Sequence, residues 1–509
     1  MVQYDVIIVG SGLGGLASAI ILAKEGLKVL VLEKNNQFGG NLQTFSRNKT
    51  IFDTGIHYIG ALGKGQNLER YFSYLGIYDG LELKQMDMDG YDIITFDNDP
   101  NEYPHAQGSD NFVKQLLHFF PDEEAVLRAY CRKLKQICDS FPLYNLKSEG
   151  SYDLEILSIN AKEYLDQLTP NEKLKAVLMG TTYLYAGIAE KSPLYVHALS
   201  LNSYVESAWR VIKGGSQITK QIFKELKKYD VTLLKHKDVS EFVFDGEKII
   251  SVKTKTGEEF FGKIFLSNIE LKSTLKMVGE EHFRKSFRNR IDLLEPVVAA
   301  FSLYLVFKPK SFKYENRNFY HSQDESSVWT AQFYSDESWP QSYMGSMGLK
   351  DASDQYAESM TFMTYMRYED VRQWENTVNT VVEKADRGAS YEAFKEEKTE
   401  RFLKKIEKRF PGISDCVEAI YTSTPLSYRD YIGGENGNMY GYVKDSNNPM
   451  LTFISPKSKI KNLYFTGQSV SMHGVLGVTI GAVNTCSEIL GKKYLLDKIN
   501  SKLVQNKHK

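Results

Sequence analysis

The residues whose chemistry is easiest to read are three glycines and one carboxylate near the start of the chain. Tyr4-Asp-Val-Ile-Ile-Val-Gly10-Ser-Gly12-Leu-Gly-Gly15 carries a GxGxxG spacing directly behind a short β-branched apolar run. Such a run reads as a strand buried on both faces. Gly10 permits the tight turn that follows, Gly12 lets an anionic group approach the backbone, and Gly15 lets the next helix pack closely on the strand. The free N–H groups at that helix start attract the anion. The apolar pattern predicts the helix over 13–25, ended by Gly26, and a second strand over 28–33. Glu33 closes that strand at the spacing from which a carboxylate accepts hydrogen bonds from ribose hydroxyls. Strand, turn, helix, strand and terminal carboxylate together predict a nucleotide-binding unit.

Two histidines and a tyrosine form the second group. His57 lies in Phe52-Asp53-Thr54-Gly55-Ile56-His57-Tyr58-Ile59-Gly60, and His473 in the glycine-rich run from Leu463 to Gly481. A plain NAD dehydrogenase needs neither the segment Asn35 to Gly40 nor the Phe52 to Gly60 stretch it leads into. FAD does, because its ribityl chain and ring extend beyond the first βαβ unit. Either imidazole could be a proton donor beside the ring, or a hydrogen-bonding residue of its own turn. Tyr440 is a third candidate, or a residue that packs on the ring. A helix starting near Gly474 would aim its positive end at the flavin pyrimidine, where negative charge collects on reduction.

The elements that must position these groups imply an α/β chain: a discontinuous Rossmann-like FAD-binding domain with a mixed α+β substrate domain. The expected segments are 1–85, 208–285 and 451–491 for the cofactor domain, 86–207 and 286–450 for the substrate domain, and 492–509 as a basic amphipathic tail. Within them, Thr169-Pro-Asn-Glu172 reads as a capping box, and strands are expected over 231–234, 239–244 and 248–255. Helices are expected from Ser216 to about Tyr229 and from Ser390 to Phe410. The aromatics Phe301, Tyr304, Phe307, Trp329, Phe333, Phe362, Tyr365 and Tyr368 read as core rather than as a tunnel lining.

A chain of 509 residues has room for more than a nucleotide unit, and its net charge of −1 offers no basic surface for nucleic acid. The four cysteines lack metal-ligand spacing, so core thiols are expected and no metal. A cytoplasmic protein without a spanning helix is expected. Leu495, Ile499 and Leu503 in the tail form an apolar stripe under a basic face, which suits peripheral contact with an anionic membrane or a solvated terminal helix.

With these motifs the chain resembles the flavoprotein family of phytoene desaturases, carotenoid isomerases and retinol saturases. Phe52-Asp-Thr-Gly-Ile-His-Tyr-Ile-Gly60 and Leu463-Tyr-Phe-Thr-Gly-Gln468 are most similar to the retinol saturase branch. The resemblance implies FAD held by Gly10, Ser11, Gly12, Gly14, Gly15, Glu33, Lys34, Gly39, Gly40, Asn41, Asp53, Thr54, Gly55, Val239, Gly467, Gln468, Gly474 and Val475. It also implies a conjugated apolar substrate such as a polyene. Asn41 stands where many relatives carry Arg, and His473-Gly474 where many carry a Pro-Gly turn. No second strand-GxGxxG-helix unit is present, so electrons are expected from the substrate, a small donor or quinone, or a partner reductase, unless the reaction is a flavin-assisted isomerisation. Proteins that escort prenylated GTPases share this fold without flavin, so a cofactor-free lipid carrier is the alternative outside enzymes.

Overall fold

The computed structural model describes residues 3–150 and 153–506. The expected buried strand is Gln3–Val9, and it lies within the first of two seven-stranded sheets. Thr232–Leu234, Val29–Leu32, Gln3–Val9 and Glu259–Ser267 run parallel in that order, and Leu463–Phe465 adds a further parallel pairing to Glu259–Ser267. Lys248–Thr254 and Val239–Asp245 extend the sheet antiparallel. Every residue of the helix Leu13–Ala23 is buried, since it packs against the sheet and against Ser216–Lys228 and Gly474–Leu490. That surround explains an apolar helix without a polar face.

The second sheet runs in the order Val417–Ser423, Ala299–Phe307, Ser359–Met366, Ser342–Gly348, Asn318–Ser322, Asp92–Phe96, Asp99–His105. It is antiparallel except where Asn318–Ser322 meets Asp92–Phe96. Ala299–Phe307 and Ser359–Met366 are buried along their whole length, which accounts for their runs of large apolar side chains. A small sheet of Ile59–Gly60, Ala208–Val211 and Leu83–Gln85 fastens the segment around His57 to the rest. The mixed α/β class read from the sequence is the observed one.

Some expectations differ in detail. The helix after Thr169 begins at Glu172, with Asn171 as its cap accepting from the Leu174 N–H. No capping box forms there, because the Thr169 hydroxyl donates to Glu123 and accepts from the Asn171 N–H. The tail is the helix Lys492–Asn506, but Leu495, Leu496 and Ile499 are fully buried against Asn67–Leu75 and Gly474–Leu490. The Leu495 and Ile499 stripe, read as facing a membrane or as part of a solvated helix, is an internal packing face; the Leu503 side chain lies outside the described residues. Among the described residues no helix is long and apolar enough to cross a membrane, and no cluster of His, Cys, Asp and Glu could hold a metal. All four cysteines are free, with Cys138 and Cys486 buried.

Candidate active site

A cavity of about 1110 Å³ opens at the carboxyl ends of the parallel strands and continues to the second sheet, where Tyr320, Met344 and Met363 line it. Ligands of open α/β sheets bind at that edge of the strands. Main chain dominates the near end. A Cβ on Gly15 would lie 2.4 Å from the Gly10 carbonyl oxygen, and one on Gly40 would lie 3.0 Å from the Gly12 Cα. Two helices start here without a side-chain cap, Leu13–Ala23 after Gly12 and Gly474–Leu490 after His473. Each leaves backbone N–H donors and a positive dipole end facing the space. Glu33 is buried, and its carboxylate accepts from the Ser11 N–H at 3.1 Å, from the Ser11 hydroxyl and from the Asn35 N–H at 2.9 Å, keeping a lone pair for a further donor.

The two ends of the chain meet across this cradle. Asn41 Nδ2 donates to Gln468 Oε1 at 3.3 Å, and Gln468 reaches the Met439 carbonyl. Asn268, which sequence reading passed over, is the hub: its Nδ2 donates to the Gly10 carbonyl, and a Cβ on Gly14 or Gly467 would fall within 3 Å of its Oδ1. Its position just past a parallel strand was the available signal. Thr466 Oγ1 and Ser471 Oγ line the cavity, buried and without hydrogen-bond partners among the described residues. Such orphans are polar positions a ligand would satisfy. Glycine cradle, uncapped helix starts, Glu33 and orphaned hydroxyls fit a dinucleotide cofactor.

Of the residues assigned to the cofactor, all line the cavity except Gly15 and Asp53. Gly15 has the packing role expected of it. Asp53 instead faces the turn before Ser216–Lys228, accepting from the Gly215 N–H at 2.6 Å, and burial pushes its carboxyl up to about 7. It shapes the cradle from behind.

The three candidates for proton transfer all reach the cavity. His57 Nε2 lies 2.9 Å from Met363 Sδ, and burial, then the Arg210 charge, pushes its pKa down to about 4. His473 donates from Nε2 to the Leu184 carbonyl at 2.8 Å; burial foremost, with Lys444 nearby, holds it down at about 4. Both imidazoles are therefore neutral at neutral pH, and the His473 Nε2 proton is engaged. Tyr440 stacks on His473 at 4.5 Å and donates to the Tyr183 carbonyl. Together they make a flat aromatic wall beside the start of Gly474–Leu490. Lys444, unremarked in the sequence, also lines the cavity, and burial lowers its pKa to about 8.

The far end is apolar and aromatic: Tyr58, Tyr183, Tyr204, Tyr320, Tyr428, Leu199, Met344 and Met363. None of the eight aromatics noted between 301 and 368 is among the lining residues, in keeping with the core reading; Phe333 is instead exposed.

A family model described as an NAD(P)-binding Rossmann-like domain matches residues 8–75. The all-trans-retinol 13,14-reductase of Homo sapiens is 26% identical, over 98% of this chain and 87% of the relative. The chain is similar to retinol reductases over nearly its whole length. Prolycopene isomerase 1 of an Oncidium hybrid is 22% identical, over 94% and 83%. Among solved structures, an oxidoreductase from Methanosarcina mazei has a TM-score of 0.64 at 13% identity, covering 96% of this chain and 100% of its own. A Rab GDI from Plasmodium falciparum also shares the fold, at a TM-score of 0.52, 13% identity, and 96% and 98% coverage. These findings bear out the family resemblance and the expected enzyme class, an oxidoreductase.

Proposed function

We propose that the chain is an FAD-dependent oxidoreductase that reduces a carbon–carbon double bond of an apolar conjugated molecule, of the retinoid or carotenoid class. The observation that carries this reading is the continuity of the cavity, which joins a nucleotide cradle to an aromatic and thioether-lined chamber. When bound, the reduced flavin supplies a hydride. Gly10 to Gly14, Glu33 and the two helix starts hold the phosphates and ribose, and the start of Gly474–Leu490 favours negative charge at its end of the site. The tyrosines and methionines around Tyr320 exclude water and grip an extended apolar chain. Conjugation is required because a polyene spreads the charge that develops when hydride adds, whereas an isolated alkene does not. An external electron donor belongs to this reading, because no second nucleotide motif stands in the sequence.

The test is anaerobic reoxidation of the reduced, flavin-loaded protein against a panel of retinoids, carotenoids and other polyenes. Stoichiometric reoxidation with a product heavier by two hydrogens supports reduction. Isomerisation is the second reading, favoured by the similarity to prolycopene isomerase; it predicts a product of unchanged mass and flavin still reduced. A colourless protein that FAD neither binds nor stabilises overturns both in favour of a carrier.

A further inference from the structure

Behind the aromatic end of the cavity lies a buried chain of hydrogen-bonding groups that the cofactor cradle does not use. The Tyr58 hydroxyl sits between Asp92 Oδ2, at 2.8 Å, and the Tyr320 hydroxyl, also at 2.8 Å. Asp92 is fully buried, while Tyr58 and Tyr320 both line the cavity. Among the described residues, Tyr58 is the one hydrogen-bond partner of the Tyr320 hydroxyl. The Asn318 amide donates to Asp92 Oδ1 at 2.9 Å and accepts from Arg210 at 3.1 Å, so the guanidinium reaches the carboxyl only through an amide. We propose that Tyr320 is the proton donor of the reaction and that Tyr58 and Asp92 are the relay that reloads it. This rests on the reductase reading given above.

The direction of the hydroxyls depends on Asp92. As a carboxylate it accepts from Tyr58, Tyr58 must then accept from Tyr320, and the Tyr320 hydrogen points away from the cavity. Protonated on Oδ2, Asp92 donates to Tyr58, Tyr58 donates to Tyr320, and the Tyr320 hydrogen is free to face the substrate. Both arrangements keep the same heavy-atom distances, so switching requires only that hydrogens move. Burial pushes the Asp92 carboxyl up to about 7, against the pull of Asn318, Tyr58 and Arg210. The other titratable groups facing it are Tyr91, Tyr204 and Tyr320, with His105 its neighbour across the strand pair. The tyrosines are held well above their ordinary range and His105 down at about 4, mainly by burial, so all four are neutral around pH 7 and Asp92 alone changes charge there.

The step balances. With a hydride supplied to one carbon of the double bond by the reduced flavin the cradle would hold, the π electrons would move to the neighbouring carbon. That carbon takes the Tyr320 proton; Tyr320 takes the proton of Tyr58, and Tyr58 that of Asp92. One hydride and one proton have entered the substrate, and Asp92, now a carboxylate, is reprotonated from solvent between turnovers. In net terms the proton given up is that of the Asp92 carboxyl, whereas the neutral His57 and His473 carry no imidazolium proton to give.

The experiment compares wild type with Tyr320→Phe and Asp92→Asn, all flavin-loaded, following anaerobic reoxidation by the best polyene of the panel from pH 5.5 to 9. In parallel, the wild-type-minus-Asp92→Asn infrared difference spectrum is recorded without polyene. The wild-type rate is expected to fall above a midpoint near pH 7, matching the Asp92 carboxyl at about 7. Tyr320→Phe should keep its flavin and react roughly 10²- to 10⁴-fold slower, the usual share of general acid catalysis. Asp92→Asn should be slow and lose the midpoint, and the difference spectrum should show a protonated-carboxyl band at pH 6 that is gone by pH 8.5. A Tyr320→Phe protein as fast as wild type, or a difference spectrum without that band, overturns the relay. A wild type that no polyene reoxidises overturns the reductase reading instead. Should Asp92→Asn not fold, Tyr58→Phe serves in its place and must show the same loss of the pH midpoint.

Discussion

The two ends of the cavity are built on different principles. The nucleotide end is made of main chain: glycines too crowded for a Cβ, helix starts without caps, and one carboxylate pinned by backbone N–H groups. The aromatic end is made of side chains drawn from positions as distant as Tyr58, Tyr204, Tyr320 and Tyr440. A backbone cradle must come from contiguous residues, whereas a chamber of side chains can be assembled from anywhere the fold brings together. The first therefore tolerates almost no substitution, and the second tolerates many small ones.

The largest expected effect is at the cradle. Gly15→Val would drive a side chain into the Gly10 carbonyl, where even a Cβ lies at 2.4 Å. Overpacking costs about 1–3 kcal/mol where side chains can yield; against backbone the expected outcome is a less stable protein that purifies without flavin absorbance. A yellow Gly15→Val protein of normal stability would erase the contrast between the two ends. Next is Glu33→Gln, which keeps the shape and removes the charge. Losing a charge-assisted hydrogen bond, worth about 1.5–3 kcal/mol, should weaken flavin binding roughly 10- to 100-fold in a fluorescence titration of deflavinated protein.

A smaller effect is read by pH and sets the buried histidines of both ends against their buried carboxylates. His57 and His473 titrate in the folded protein at about 4, below their ordinary 6.5. The unfolded chain binds more protons in that interval, so the stability they contribute is complete above pH 6.5 and is lost as pH falls through 4. Asp53 and Asp92, raised from 3.8 to about 7, act in the opposite sense: their contribution is complete below pH 3.8 and is lost as pH rises through 7. Melting curves should accordingly show a shallower acid limb for His473→Gln and a shallower decline between pH 4 and 7 for Asp53→Asn. The smallest effect is expected at Tyr183→Phe. The Tyr183 hydroxyl is buried without a partner, so removing it should leave stability unchanged or raise it by up to about 1 kcal/mol, measured as the denaturant midpoint.

Legibility in the sequence followed the same division. The first strand, turn and helix were readable because three glycines, an apolar run and Glu33 stand within one short stretch. The strands at 232–234, 239–245 and 248–254 were readable from alternation and turn residues. Asn268 was not, since a place just past a parallel strand is a weak signal until the fold closes Gly10 to Gly15 and Gly467 around it. Asp92 was not singled out, since a lone aspartate at the head of an apolar run carries no local signal of the Asn318 and Tyr320 strand that pairs beside it. The tail misled because an amphipathic stripe is the same pattern whether its partner is a bilayer or the helix Asn67–Leu75. Thr169 had the residue types of a cap, yet Glu123 claimed its hydroxyl from another segment.

The strand Leu463–Phe465 joins the nucleotide sheet beside a strand that itself pairs with the first one. On the ribosome, at about 5–20 residues per second, the opening βαβ unit would be made roughly 20 seconds to a minute and a half before Leu463. From the moment Glu259–Ser267 is made, the edge that Leu463–Phe465 will occupy stands open until the end of the interval, and throughout it the helix that completes the cradle does not yet exist. Cofactor loading in this architecture is thus a late event in biogenesis, and the nascent chain must spend most of its synthesis with a half-built sheet that chaperones have reason to cover.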